Sequence, residues 1–430
     1  MDLPKKKILL LGAIAPYCDL VKEFEKLDII PYISDYYSDA PAKNMGYPSF
    51  DVSTMDVDKL IDLVDAESID GCVSAFSDRN ILPCMDVCEH LHSPFFFSRE
   101  IVDCLTDKLK MKQFFSSIDV PITKYDIISV EQAETALKEF EFPVVTKPID
   151  AYGSKGIFAC QNIDEVKEVY QTVIKESLNY SDKIIVEEFF DGDEISVSAW
   201  VKNGSAYITC IYDVFRNHTD EFTLSGVAFP SKYSSRIDEL NSLLNYIVGK
   251  LNIKEGPVTL QCFIGQKGLK VSELLCRLAG GSPYLYGTYI GGPNTAEMLI
   301  QYASQTEIDY QNLCSFVPVL SDDVYYDVQV LINQKGKLRY SIDYGKLQML
   351  IPEAEDIRVY YKNDAELVNV SQSGVQFAKV ICKTKRTADY FDLIDRVNAG
   401  VEVFNQNGNK ISFVRVPDRI DVQSVHDWHC

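Results

Sequence analysis

The sequence predicts an α/β protein: an open parallel α/β sheet at the N-terminus, a middle region built on β-hairpins, and a C-terminal α+β lobe. Three observations predict this. Strand and helix patterns alternate through the first hundred residues, as in parallel sheets with crossover helices. Apolar runs in the middle turn at Asn203-Gly204 and between Gly265 and Gly268, which are hairpin signals. After about residue 305 the composition changes. The expected parts are residues 1–104, 105–305 and 306–430, in keeping with about 100–200 residues per domain.

Composition narrows the function classes. The 430 residues carry a net charge of -21, and 46% of them are apolar. That apolar content can supply a large core and excludes disorder as the main state. The acidic balance argues against a general affinity for nucleic acid or an anionic membrane. No run approaches the roughly 20 apolar residues that span a bilayer. Lys5-Lys6-Lys7 before Ile8 to Ala15 has a signal-like look, but no small-residue cleavage site follows, so a buried first strand is expected. The twelve cysteines include no CxxC pair. They read as reduced, buried thiols of a cytoplasmic protein.

In the N-terminal part, Lys7 to Gly12, Ile29 to Ile33, Gly71 to Phe76 and the short Pro94 to Phe97 are expected strands. Asp19 to Leu27, Val57 to Ala66 and Leu82 to Leu91 are expected helices. The first strand ends in Gly12-Ala-Ile-Ala-Pro-Tyr, without the three-glycine turn of a dinucleotide site. Cys84, Cys88, His90 and His92 fit no usual zinc spacing. Neither do His426 and His429 in the tail, which read as solvated.

In the middle part, a helix is expected from an N-cap at Thr106 to Ser116, and another from Val130 to Phe140. The strand Pro143 to Lys147 then leads through Gly153-Ser154-Lys155-Gly156 into the strand Ile157 to Cys160. Glycine lets amides face an anion and lysine adds charge, though glycine turns between strands are common. Lys183 to Glu194 reads as a strand and an extended acidic linker, either a nucleoside-binding edge or a solvated connector. Gln261 and Glu273 sit among apolar residues on the two strands of a hairpin, with Arg277 just beyond. Oxygen ligands so placed can share Mg²⁺, and an arginine there can clamp an anion. The alternative is a buried Glu–Arg pair. In the C-terminal part, Val324 to Asn333 and Lys337 to Tyr344 read as a hairpin around Gln334-Lys335-Gly336. Gln376 to Lys383, Thr387 to Val397 and Val401 to Asn405 read as strand, helix and strand.

Taken in order, Asp107-Lys108, Pro143 to Pro148, Gly153 to Gly156, Val186 to Glu194, Gln261 and Glu273 to Gly281 resemble the ATP-grasp superfamily. The resemblance is to its carboxylate–amine ligases and carbamoyl phosphate synthetase-like members, and it covers the whole chain. It implies an ATP-grasp fold, ATP and Mg²⁺ as cofactors with Mn²⁺ as a substitute, and small-molecule carboxylate and amine substrates. A homodimer is compatible with it. It implies that Lys108 and Lys147 contact the ATP phosphates and that Gly153, Ser154, Lys155 and Gly156 form a loop over the triphosphate. Glu188 and Phe190 would pair with adenine through their backbone, Glu187 would border its pocket, and Glu194 would bind the ribose. Gln261 and Glu273 would hold Mg²⁺ and Arg277 would face an acyl phosphate. Asp213, Arg216 and His218 fall where substrate groups sit in such enzymes, with Arg216 a second anion clamp or an exposed loop arginine. Two residues depart from the common pattern: Gln261 in place of Glu, and Leu275 in place of a metal-binding Asn. The expected activity is ATP-dependent amide formation through an acyl phosphate. The alternatives are a carboxylate or carbamate kinase and a nucleotide-binding regulator without catalysis.

Overall fold

The computed structural model describes residues 5–149, 156–177, 182–216, 224–280, 283–318, 321–342, 344–370, 374–386 and 389–413. The chain forms two compact units. The first comprises Met1–Asp213 and Pro230–Leu320, and the second Val214–Phe229 and Ser321–Cys430.

The first unit opens with a four-stranded parallel sheet in the order Ser49–Phe50, Ile30–Ser34, Lys7–Leu11, Gly71–Ser74. Lys7–Leu11 takes a central place because Ile8, Leu9, Leu10 and Leu11 are wholly buried, as a strand covered on both faces requires. Helices Ala15–Lys26, Val57–Glu67 and Ile81–His90 connect and cover the strands. Gly12 follows the first strand with φ of 115°. A Cβ there would meet the Tyr17 ring at 2.4 Å, so both backbone and space demand glycine.

Pro94 to Phe97 forms no strand. Proline offers no ladder donor, and the rings of this segment pack instead. Phe96 stacks on Tyr302 at 3.8 Å and meets Trp200 edge-on at 5.4 Å between centroids. Thr106 is not a helix N-cap. It ends the helix Arg99–Thr106, with its hydroxyl donating to Val102 O at 2.8 Å. Asp107 caps the next helix, Lys108–Ser117, by accepting from Leu109 N at 2.9 Å and Lys110 N at 3.0 Å. A carboxylate outcompetes a hydroxyl there because it also complements the helix dipole. Val130 to Phe140 is three short turns, Val130–Gln132, Ala133–Ala136 and Leu137–Glu139, not one helix.

A second sheet in this unit runs Tyr125–Ile128, Ile184–Glu188, Val144–Pro148, Phe158–Cys160, all antiparallel. Its inner residues, Ile128, Val144, Cys160, Ile184 and Val186, close on Val166, Tyr170 and Val173 of the helix Ile163–Lys175. The remaining strands of the unit lie in the order Gly268–Leu275, Glu255–Gly265, Asp193–Lys202, Ser205–Arg216, the last crossing into the second unit after Asp213. Ile195, Val197, Ala199 and Val201 alternate into a core with Leu240, Leu244, Ile247 and Val248 of the helix Ile237–Leu251. Period-two geometry sends Glu194, Ser196 and Ser198 to the opposite face.

In the second unit Leu224–Phe229, Asp323–Ile332, Val375–Lys385 and Ala354–Val359 neighbour one another in that order. A smaller sheet holds Glu366–Leu367, Gly336–Ser341 and Glu402–Asn405, and the helix Tyr390–Gly400 packs into the same core. The expected hairpin around Gln334-Lys335-Gly336 does not form. Asp323–Ile332 pairs along its length with Val375–Lys385, while Gly336–Ser341 joins the smaller sheet. The run Phe377 to Cys382 is almost entirely buried, so it fills a central place that the amphipathic Gly336–Ser341 cannot.

Candidate nucleotide and metal site

The polar face of the hairpin sheet carries the first group. Gln261 lies opposite Glu273 on one side and Ser196 on the other. This register pairs an amide residue with a carboxylate residue, both half-buried. A bulge follows directly: Cys262 lies opposite Val271, so Ser272 is the extra residue on the partner strand. Leu275, opposite Thr259, is 5% exposed and offers no ligand atom. Among the described residues no three His, Cys, Asp or Glu side chains are grouped to hold a metal ion. Cys84 and Cys88 belong to the N-terminal core with Cys72, and His90 meets Asp65 at 2.9 Å.

Three lysines form the second group. Lys108 is the first residue of its helix and half-buried. Burial lowers its pKa, Glu273 opposes that, and Lys147 adds to the lowering. Lys147 projects from Val144–Pro148, with Nζ 2.9 Å from Glu187 Oε1. Burial alone would lower its pKa, but Glu187, then Glu273 and Glu194, raise it above the ordinary lysine value. Lys112, one turn beyond Lys108, places Nζ 3.0 Å from Glu187 Oε2. That oxygen also accepts from Thr123 Oγ1 at 2.7 Å. Burial would raise the Glu187 pKa, yet Lys147 and Lys112 hold it well below the carboxylate range. The Glu187 carboxylate is thus enclosed by cations. Lys112 escaped the sequence reading because Lys108-Leu-Lys-Met-Lys looks like a solvated helix face, and Thr123 because its partner Glu187 is 64 positions away.

The linker after Ile184–Glu188 is extended. The amide of Glu188 donates to Lys124 O and that of Phe189 to Pro143 O, both at 3.0 Å. The Glu188 carboxylate lies 3.4 Å from Lys124 Nζ and accepts from Glu141 N at 3.2 Å. The Phe190 ring packs on Phe263, 6.3 Å between centroids. Glu194, half-buried, lies opposite Phe263 in the register.

Arg277 reaches back to the N-terminal sheet. Its Nε and Nη2 donate to the two oxygens of Asp78 at 2.7 and 2.6 Å, and Nη1 donates to Leu278 O at 3.0 Å. Burial would lower the Arg277 pKa, and Asp78 keeps it above the ordinary value. Asp78 was not legible in the sequence, since 199 positions separate the pair. Arg216 ends its strand in the second unit, half-buried. Asp213 is spent on structure, accepting from Ser231 Oγ at 2.5 Å and Lys232 N at 3.0 Å. Gly156 has φ of 68°. Gly153, Ser154, Lys155 and His218 lie outside the described residues.

The first unit therefore gathers Lys108, Lys147, Glu187, Glu194, Gln261, Glu273 and Arg277 from helix, sheets and linker. Cations beside a half-buried oxygen pair are suited to polyphosphate and a divalent metal. Residues 140–282 match the family model described as an ATP-grasp domain. Over 122 residues the chain is 33% identical to carbamoyl-phosphate synthase of Methanobrevibacter smithii, covering 28% of this chain and 29% of the relative. Over 193 residues it is 24% identical to formate-dependent phosphoribosylglycinamide formyltransferase of Ignicoccus hospitalis, covering 44% and 47%. The chain thus spans less than half the length of these two relatives. Among solved structures, the biotin carboxylase domain of 2-oxoglutarate carboxylase from Hydrogenobacter thermophilus, in complex with MgADP, ADP and bicarbonate, superposes with a TM-score of 0.74 at 17% identity. That match covers 96% of this chain and 92% of that one. L-amino acid ligase from Bacillus licheniformis gives 0.72 at 15% identity, covering 94% and 100%. The fold is that of these enzymes.

Proposed function

We propose that this chain, which carries an ATP-grasp domain, is an ATP-dependent ligase that joins a carboxylate to an amine. The observation that carries the reading is the set of lysines against Glu187 with Gln261 opposite Glu273. It combines phosphate-binding cations with oxygen ligands in one unit.

In this reading Lys108 and Lys147 bind the ATP phosphates. Gly153, Ser154, Lys155 and Gly156 cover them. Glu188 and Phe190 offer backbone groups to adenine, with Glu187 beneath, and Glu194 accepts from the ribose. A substrate carboxylate attacks the γ-phosphorus, the bond to the bridging oxygen breaks, and ADP leaves. The amine then attacks the acyl carbon, phosphate departs, and the amine proton passes to solvent or phosphate. Arg277, held by Asp78, would bind the acyl phosphate. Positioning and charge do most of the work, as phosphoryl transfer requires. Exclusion of water protects the acyl phosphate from hydrolysis.

The donor set suits Mg²⁺, or Mn²⁺ in its place, because both side chains offer oxygen. Glu273 and Gln261 would hold it through side-chain oxygens. When bound, the ion screens charge between the phosphates. Leu275 leaves one fewer protein ligand for a second ion.

The described cysteines are all free, most of them buried. This supports a reducing, cytoplasmic setting. No described helix is long and apolar enough to cross a membrane. A homodimer completes the proposal, and sedimentation would test it.

Thermal shift followed by ADP release with a panel of carboxylates and amines tests the reading. Millimolar Mg·ATP should stabilise the wild type by about 2.7 kcal/mol if it reaches 100 times Kd. Lys147→Ala should abolish turnover while the fold survives. No stabilisation by Mg·ATP would overturn the proposal.

A further inference from the structure

The contact between Lys147 and Glu187 raises an electrostatic difficulty. A lysine 2.9 Å from a buried carboxylate forms a nearly neutral pair, which attracts a polyanion far less than a lone cation does. Glu187 is only 5% exposed, so water does little to screen it. The second carboxylate oxygen faces Lys112 at 3.0 Å. Lys112 is 4% exposed, with its Nζ 5.3 Å from the centre of the Tyr125 ring. Lys112 Nζ and Glu187 Oε1 make no well-directed hydrogen bond. Charge, rather than bond geometry, is what Lys112 contributes.

Burying an ammonium is costly unless something is gained. Here the gain is a net positive trio in place of a neutral pair. Lys108 and Lys112 are four residues apart on one helix and so share a face. One turn thus supplies a half-buried cation and a fully buried one.

We propose that Lys112 is a positioning residue for the nucleotide: it neutralises Glu187, so that the charge of Lys147 remains available to the phosphates of ATP. Lys112 itself is too buried to touch a ligand. This rests on the ATP-binding reading above.

The test is a charge-compensation cycle on the full chain, using Lys112→Met, Glu187→Gln and the double variant. Mg·ATP affinity is measured by calorimetry, turnover at saturating ATP by ADP release, and folding by thermal melt. Lys112→Met should weaken Mg·ATP binding about tenfold or more, as expected for one uncompensated charge nearby. Its turnover at saturating ATP should change far less. The double variant lacks both buried charges and should bind Mg·ATP within about threefold of Glu187→Gln, because without Glu187 there is no charge left for Lys112 to neutralise.

Unchanged affinity in Lys112→Met would overturn the proposal. So would a double variant about tenfold or more weaker than Glu187→Gln, since Lys112 would then matter without the charge it is held to neutralise. Should Lys112→Met fail to fold, the other two variants decide: a double variant about tenfold or more weaker than Glu187→Gln refutes the idea. A wild type that binds no Mg·ATP would instead refute the ligase reading.

Discussion

Asp78→Ala removes the one carboxylate that clasps Arg277. The pair is bidentate, at 2.7 and 2.6 Å, and its side chains are only 12% and 15% exposed. Removing one partner of a buried pair costs about 3–5 kcal/mol, because the other charge is left uncompensated. The slight exposure and the bond from Arg277 to Leu278 O place the expected loss near about 3 kcal/mol. Arg277 and Asp78 both belong to the first unit. For roughly 300 residues the unfolding entropy makes each kcal/mol worth about 1.6 °C, so the midpoint should fall by about 5 °C. The guanidinium would also lose its aim, and turnover should drop about 100-fold, the scale of small misplacements at a reacting centre. Scanning calorimetry gives the first number and coupled ADP release the second. Asp78→Glu keeps the charge but moves it outward, and should fall between wild type and Asp78→Ala in both assays. A melt within about 1 °C of wild type, with undiminished turnover, would show that Arg277 needs no such clasp.

Glu273→Gln should remove nearly all activity, because it deletes the only anion of the facing pair, whereas Gln261→Glu should be tolerated or tighten metal use. Turnover across a Mg²⁺ titration checks both, and wild-type rates in Glu273→Gln would refute the assignment. A third test uses pH. Burial would raise the Glu187 pKa, but Lys147 and Lys112 hold it below its ordinary 4.5. A carboxylate with a depressed native pKa stabilises the fold fully above its unfolded pKa, and that contribution is lost as pH falls through the native one. The melting difference between wild type and Glu187→Gln should therefore be constant above about pH 6 and move against wild type as pH falls below about 4.5. A difference independent of pH down to about 3 would refute the charged state of Glu187.

Local chemistry and the chain's own periodicities were legible in the sequence. The apolar run Ile8 to Leu11 announced a buried first strand of the parallel sheet. The turn at Asn203-Gly204 after an apolar run announced a hairpin, and Asp193–Lys202 pairs with Ser205–Arg216 across it. Gln261 and Glu273 stood out because polar groups among apolar neighbours need a reason to be there. Each signal resides within a few residues, where side-chain period and turn chemistry act directly.

Pairing and partnership were decided only by the tertiary structure. Period two tells which face a residue takes but not which strand lies beside it, so Asp323–Ile332 could be expected to pair with its neighbour and instead pairs with Val375–Lys385. Asp107 took the cap that Thr106 was expected to hold, because the chain breaks between two helices there. Lys112 reads as solvated until the helix is laid against Ile184–Glu188 and its ammonium meets Glu187. Asp78 and Arg277 become a pair only when the N-terminal sheet meets the end of Gly268–Leu275. Electrostatic energy depends on distance in space and on the loss of water. Neither quantity exists along a sequence, and both arise only when the chain folds.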